Sequence, residues 1–291
     1  MILVTGATGH VGSELVRLLA EQGAPARALV HTPDKAAPIQ RLGLETAVGD
    51  YEQPDTLDAA MKGCDQLFLL SPPSPRQAEQ EQHVIDAARR AGVAHVVKQS
   101  VPWADDPDVG LVFCRWHGQI ERYLEQSGLA YTLLRPSNFM QNFLMSAQPV
   151  AEQGVLYGMF GEGRVAFIDT RDVAAVAAEL LISPGHQGVS CTLTGPEALS
   201  AVEVAERLSA ATGRQVRYVD VGPDGFRQAL AGAGLPGWLV DGVVQGNTML
   251  AAGHGATVTD EVARLTGRPP RTFAQFAADH RVAFGGQPSS R

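Results

Sequence analysis

The sequence predicts an α/β fold, a doubly wound parallel sheet with a smaller C-terminal α/β lobe, and three observations predict it. An apolar strand, Ile2-Leu3-Val4, runs straight into a turn with glycines at 6, 9 and 12 and from there into a helix. Short apolar runs then alternate with helical stretches as far as Arg135, the βαβ rhythm of a parallel sheet covered on both faces. Beyond Arg135 the rhythm breaks and resumes in shorter form, enough for a small second lobe.

In the first turn Gly6 permits a sharp strand exit, Gly9 lets the backbone approach a pyrophosphate, and Gly12 lets the helix pack closely on the strand. The helix carries Val11, Leu15, Leu18 and Leu19 on one stripe, with Glu14, Arg17 and Glu21 off it. Its start offers free N–H groups and a partial positive charge to phosphates. Gly23 ends it. Strand-like runs recur at 25–30, 44–48, 66–70, 95–99 and 131–134, with helices expected near 34–42, 54–62, 75–91 and 112–127. Pro136, Pro149, Gly154, Gly158, Gly161 and Gly163 make the following residues a loop-rich crossing. Phe167-Ile168 restarts a strand, with Asp169 or Thr170 capping the helix behind it. A strand is expected at 188–194, then helices at 200–212, 224–233 and 257–266 around a strand at 215–221. The domain reading is therefore 1–135 plus about 166–198 for the nucleotide-binding sheet. The small lobe takes about 136–165 plus 199–285, and 286–291 is a flexible tail.

The net charge of −8 and the absence of any basic run leave nothing to steer the chain toward nucleic acid or anionic lipid. No apolar stretch approaches the ~18 residues of a membrane span, and no leader precedes the first strand, so a cytoplasmic protein is expected. Cys64, Cys114 and Cys191 are odd in number and far apart, which suits a reducing compartment. The eight histidines are scattered without paired spacing, so no metal is expected.

Several motifs in order resemble the NmrA-like group of atypical short-chain dehydrogenase/reductases, which includes quinone reductases. They are the glycine turn, Val48-Gly49-Asp50, and His117-Gly-Gln-Ile-Glu121. Ser127 to Pro136, Asn138-Phe139-Met140-Gln141-Asn142, Phe167-Ile168-Asp169 and Asp172-Val173 continue the series, and the resemblance spans about residues 1–285. It implies a Rossmann domain, a small C-terminal lobe, a bound dinucleotide and a substrate pocket. It leaves activity open, since the group includes redox-sensing regulators as well as reductases.

A carboxylate at the end of the second strand would hold the ribose 2′-hydroxyl of NAD. That position here carries His31, followed by Thr32 and Lys35, which favours NADP and leaves NAD open; His31 departs from the more usual arginine. The expected cofactor contacts are Gly6, Thr8, Gly9, His10, Val11 and Gly12 at the turn, then His31, Lys35, Asp50, Ser71, Pro72 and Ser100. Asp50 resembles the family's adenine contact, its alternative being a turn aspartate.

Short-chain dehydrogenases usually reduce carbonyls with a Tyr-x-x-x-Lys pair, and this chain has none. His117 and Glu121 stand at the same spacing. Without that acid an isolated ketone is a hard substrate, because its alkoxide has a pKa of ~16. A quinone leaves a phenolate-like anion with a pKa of ~10, easier by roughly 8 kcal/mol. His117 is either a pocket group or a packed histidine satisfied by a backbone carbonyl, and Glu121 reads as a partner for a nearby donor. Ser100 stands where dehydrogenases place a catalytic serine or threonine; it lines the nicotinamide site or caps the next turn. His117 and Ser100 are the candidate catalytic residues. Trp103, His117, Phe139, Met140 and Asn142 are the candidate substrate contacts, an apolar slot suited to a flat aromatic ligand.

The expected function is hydride transfer from NAD(P)H to a quinone or a polycyclic aromatic or conjugated carbonyl. Aromatic secondary-metabolite tailoring, in which the dihydroquinone then reacts with O₂, is an extension by analogy. The alternatives are a non-catalytic redox sensor acting through a protein partner and a dehydratase or isomerase that keeps the nucleotide as a relic. The expected partner is a small aromatic or quinone-like molecule, with no nucleic acid and no membrane; a homodimer stays open.

Overall fold

The computed structural model describes residues 1–183 and 185–288. The elements in chain order are β1 (Ile2–Val4), α1 (His10–Glu21), β2 (Ala26–Val30), α2 (Ala36–Gln40), β3 (Glu45–Val48), α3 (Pro54–Met61), β4 (Gln66–Leu69) and α4 (Gln77–Ala91). Then come β5 (His95–Gln99), α5 (Val112–Gln126), β6 (Ala130–Pro136), α6 (Ala147–Gln153), β7 (Val155–Gly158), β8 (Arg164–Val165), α7 (Thr170–Ile182) and β9 (Val189–Leu193). The rest are β10 (Leu199–Ser200), α8 (Ala201–Thr212), β11 (Arg217–Asp220), α9 (Gly222–Gly232), α10 (Gly237–Ala251), α11 (Glu261–Thr266) and α12 (Phe273–Asp279).

The chain divides into two compact units, Met1–Pro136 with Thr170–Thr192, and Ser137–Asp169 with Leu193–Arg291. The first holds a seven-stranded sheet in the order β3-β2-β1-β4-β5-β6-β9, and its pairings from β3 to β6 are parallel. The order turns back between β1 and β4, where an α/β sheet leaves a crevice at the carboxyl ends of its strands. Leu57, Met61, Val84, Ile85, Ile120 and Leu124 from α3, α4 and α5 cover one face, packed on Leu3, Leu67, Val96 and Leu133. Helices α1 and α7 pack on each other, and α7 also meets β4, β5 and β6. These faces are buried on both sides, which is why the strands read as continuous apolar runs.

In the second unit β7 pairs with β11 in parallel and β8 with β10 antiparallel. Its core is aromatic, with Phe143 edge-on to Phe167 at 5.0 Å and to Phe273 at 5.2 Å. The structure differs here from the sequence expectation. Residues 136–165, expected as loop, contain a 3-10 turn (Met140–Ser146), α6, β7 and β8; their glycines and prolines punctuate short elements instead of abolishing them. The helix expected at 34–42 is a 3-10 turn (Pro33–Lys35) and the short α2, and the one expected at 257–266 shrinks to α11. The expected tail, 286–291, reaches beyond the described residues at 289–291.

Candidate active site

Strand β1 is followed by Thr5, whose buried hydroxyl reaches the carbonyls of Phe68 (3.0 Å) and Leu70 (2.9 Å) and accepts from the Leu70 N–H (2.8 Å). The turn is thereby pinned to the end of β4. Gly6 has φ +62°, and a Cβ there would lie 3.0 Å from the Leu70 carbonyl oxygen. At Gly12 a Cβ would lie 2.1 Å from the Gly6 carbonyl oxygen, so the helix sits against the turn only because residue 12 is glycine. Gly9 is the N-cap of α1 in an extended conformation, and no side chain bonds to the first-turn amides. Thr8, Gly9 and His10 are exposed, Val11 and Gly12 buried. A Cβ on Gly9 would meet only the Gly6 carbonyl oxygen, at 3.4 Å. This bare, open helix start fits the pyrophosphate of a dinucleotide.

At the end of β2, His31 and Lys35 are exposed. The Lys35 ammonium lies 3.9 Å from Asp34, whose carboxyl is held below its usual range by the Thr32 hydroxyl and then by its own backbone N–H and Lys35. Asp50 accepts from the Glu52 N–H (2.9 Å) and from the Gln53 side-chain amide (3.3 Å), the geometry of an Asx turn. Beside it the Tyr51 hydroxyl donates to the Leu70 carbonyl (3.0 Å), and burial pushes that phenol up to about 12.

At the carboxyl end of β4, the buried Ser71 hydroxyl donates to Glu81 Oε1 (2.8 Å), while Pro72 is exposed. At the end of β5, the Ser100 N–H donates to the Leu134 carbonyl (2.6 Å). The Ser100 hydroxyl is buried without a hydrogen-bond partner, as is Gln99 Oε1. Buried polar atoms are nearly always paired, so these two have unspent capacity at the strand ends where a ligand of such a sheet would sit.

On α5, Glu121 gives both oxygens to Arg135, at 3.0 Å from Nε and 2.6 Å from Nη2, and Arg135 also reaches Asp105 (2.7 Å). His117 is buried with both ring nitrogens against side chains: Nδ1 lies 3.3 Å from Lys98 Nζ and Nε2 lies 3.3 Å from Gln77 Nε2. Its partners are thus side chains and not the backbone carbonyl considered from the sequence. Burial, and then the Lys98 charge, hold its pKa well below the ordinary histidine range. Trp103, half-buried, has φ +60°, the one positive φ outside glycine among the described residues. Its loop lies against α5: the Cys114 thiol donates to the Pro102 carbonyl (3.3 Å), and a Cβ on Gly118 would lie 2.2 Å from the Ala104 carbonyl oxygen. Strain of this kind collects at functional sites.

The first unit thus brings together the glycine turn, Ser71, Ser100 and His117 at one end of its sheet. Phe139, Met140 and Asn142 belong to the second unit. There Phe139 is bridged to Ile168, Met140 is buried, with its N–H donating to the Ile168 carbonyl (2.8 Å), and Asn142 is exposed. Lys98, Glu81 and Gln77 were not singled out from the sequence. A lysine inside the apolar run 95–99 was the available signal, in a chain whose other lysines are Lys35 and Lys62.

A model of the NmrA-like family matches residues 1–245. The chain belongs to the NmrA-like family. Among its relatives, this NmrA-like protein is 45% identical over 285 residues to an NAD(P)H azoreductase of Xenophilus azovorans, covering 98% of this chain and 99% of that one. It is 38% identical over 284 residues to the (4-alkanoyl-5-oxo-2,5-dihydrofuran-3-yl)methyl phosphate reductase of Streptomyces griseus, covering 98% and 99%. Among solved structures, an NADPH-dependent quinone oxidoreductase from Escherichia coli, in complex with NADPH, superposes with a TM-score of 0.87. That NmrA-like match has 31% identity and covers 96% of this chain and 99% of the other. No groups that could hold a metal ion occur among the described residues, and none of their helices is long and apolar enough to cross a membrane.

Proposed function

We propose that this protein is an NAD(P)H-dependent reductase of quinone-like or azo acceptors, with NADP as its cofactor. The observation that carries the reading is what stands at the Tyr-x-x-x-Lys position: Glu121 is spent on Arg135, and His117 is a buried, neutral imidazole. Neither is a tuned phenolic acid. Such a site suits an acceptor whose reduced anion is stable by itself, such as the phenolate of a quinol. Bound reduced nicotinamide supplies the hydride. The Gly6–Gly12 turn and the α1 amides would hold the pyrophosphate, Asp50 is the proposed adenine contact, and the exposed His31 and Lys35 favour a 2′-phosphate. The Ser100 hydroxyl, buried without a partner, would be available to bond the nicotinamide side of the cofactor. Within the first unit, Trp103 is the proposed acceptor contact. The names of the azoreductase, the furanone reductase and the quinone oxidoreductase support the reading, because each acceptor is a conjugated π-system. A dihydroquinone product would react with O₂ where the quinone does not, which suits tailoring of aromatic metabolites.

The test is a spectrophotometric assay of NADPH and NADH oxidation with simple and polycyclic quinones, azo dyes and an unconjugated ketone. Turnover of the first two classes and not of the ketone is expected. Tight NADPH binding with no turnover of any acceptor would overturn the enzyme reading in favour of a sensor.

A further inference from the structure

Trp103 stands in a backbone conformation, φ +60°, that glycine or asparagine adopts readily and a bulky side chain does not. Its side chain is only half-buried, so a place in the core does not account for it. The segment that carries it leaves the carboxyl end of β5, where the ligand of such a sheet sits. It begins at Ser100, whose buried hydroxyl has no partner.

Four contacts hold the backbone on both sides of Trp103. The Pro102 carbonyl accepts from the Cys114 thiol (3.3 Å), and the Trp103 carbonyl accepts from the Asp106 N–H (3.2 Å). The Ala104 carbonyl oxygen occupies the space a Cβ on Gly118 would take, 2.2 Å from it. The exposed Asp105 carboxylate meets Arg135 Nη1 at 2.7 Å. Arg135 is itself fixed, because the buried Glu121 takes its Nε and Nη2 at 3.0 and 2.6 Å. A bidentate pair of this kind holds the guanidinium in one plane. Cys114, Gly118 and Glu121 are spaced i, i+4, i+7, so a single stripe of α5 makes or supports three of the four contacts. The motif His117-Gly-Gln-Ile-Glu121 thereby has a use at its second and fifth positions that no proton-transfer role supplies.

We propose that this stripe of α5, acting with Arg135, holds Trp103 in its strained conformation as a preformed indole face on which a flat conjugated acceptor stacks. The inference rests on the reductase reading. Gly118, Glu121, Arg135 and Asp105 touch no acceptor in this scheme and are positioning residues. An indole has two side-chain torsions, so with its backbone fixed it has little freedom left to lose when a ring stacks on it. A loop free to move would have to be ordered at each binding event, and that cost would fall on acceptor affinity. The turn proposed for the pyrophosphate, Gly6–Gly12, lies outside the loop, so cofactor affinity is independent of the restraint.

Trp103→Asn tests the face, since asparagine accepts a positive φ. The expected result is a KM for anthraquinone-2-sulfonate raised by about tenfold, the weight of one aromatic stack, with unchanged KM for NADPH and a Tm no lower than wild type. A lowered Tm with wild-type acceptor KM would make the indole a packing group and overturn the proposal. Two variants test the restraint. Asp105→Ala changes an exposed residue and should raise the acceptor KM by about two- to fivefold, as much as an exposed ion pair supplies. Gly118→Ala favours the helix itself but drives the Ala104 carbonyl away, and should raise it by about tenfold. Wild-type acceptor KM in both would overturn the positioning role. A ¹⁹F spectrum of protein carrying 5-fluorotryptophan needs no turnover. Among Trp103, Trp116 and Trp238, the resonance lost in Trp103→Phe should shift when anthraquinone-2-sulfonate is added to the wild type with NADP⁺, and should broaden in Gly118→Ala. An unmoved resonance would overturn the face. Failure of the wild type to oxidise NADPH with any acceptor, with the shift present, counts against the reductase reading alone.

Discussion

Gly9 and Gly12 lie three residues apart in one motif and answer to different constraints. A Cβ at Gly12 would collide with the Gly6 carbonyl at 2.1 Å, a clash with backbone that cannot move aside. Gly12→Ala should therefore cost about 1–3 kcal/mol or more, read as a lowered Tm in the absence of any ligand. Gly9 already has an extended conformation open to any residue, with φ −82° and ψ 176°. Gly9→Val should leave the stability within about 1 kcal/mol of the wild type. It should also weaken NADPH binding by well over tenfold, about 1.4 kcal/mol, because the side chain fills the phosphate approach. Calorimetric titration that finds unchanged affinity would remove the turn from the site. His31 carries the cofactor choice. His31→Asp adds a second carboxylate near Asp34, and NADPH affinity should fall more than NADH affinity through repulsion of the 2′-phosphate. A wild type that already prefers NADH by tenfold would contradict the assignment.

Helix α8 shows how an element is started by local chemistry. Ser200 and Glu203 form a reciprocal capping box, and Glu203 also meets Arg164 at 2.8 Å. The Ser200 N–H first, and then Arg164, pull the Glu203 carboxyl down to about 2 from 4.5. A carboxylate lowered in the folded state stabilises above its unfolded value and loses that contribution as pH falls through the folded one. Glu203→Gln should therefore lower stability at pH 7 by about 0.5–1 kcal/mol, with the difference from wild type shrinking below pH 4.5 and vanishing only below about pH 2. Thermal melts of both proteins from pH 7 to pH 2 check this; a constant difference would assign the effect to packing. The elements also differ in how far the sequence announces them. β2 and β5 are apolar runs between helical stretches, and they lie where periodicity puts them. Helix α10 was not foreseen, because Gly242 and Gly246 interrupt a segment that is apolar on several sides and so has no clear stripe.

Across the whole molecule, the sheet order is what brings distant residues to one place. The glycine turn was legible because its residues are adjacent in sequence. Lys98, Glu81, Gln77 and His117 were not, because their meeting depends on the registers of β4, β5 and β6 and on the seating of α4 and α5. Periodicity specifies which face of an element is buried, but not which polar group of another element it will meet. The first unit is also discontinuous: Met1–Pro136 is completed by Thr170–Thr192, which brings α7 onto α1, β4, β5 and β6. On the ribosome this fixes an order of events. The segment Ser137–Asp169 must be synthesised before α7 exists, and at ~5–20 residues per second the uncovered apolar face of the sheet waits for seconds. A nascent chain stalled just past Pro136 would be a client for chaperones, not a smaller working version of the nucleotide-binding unit.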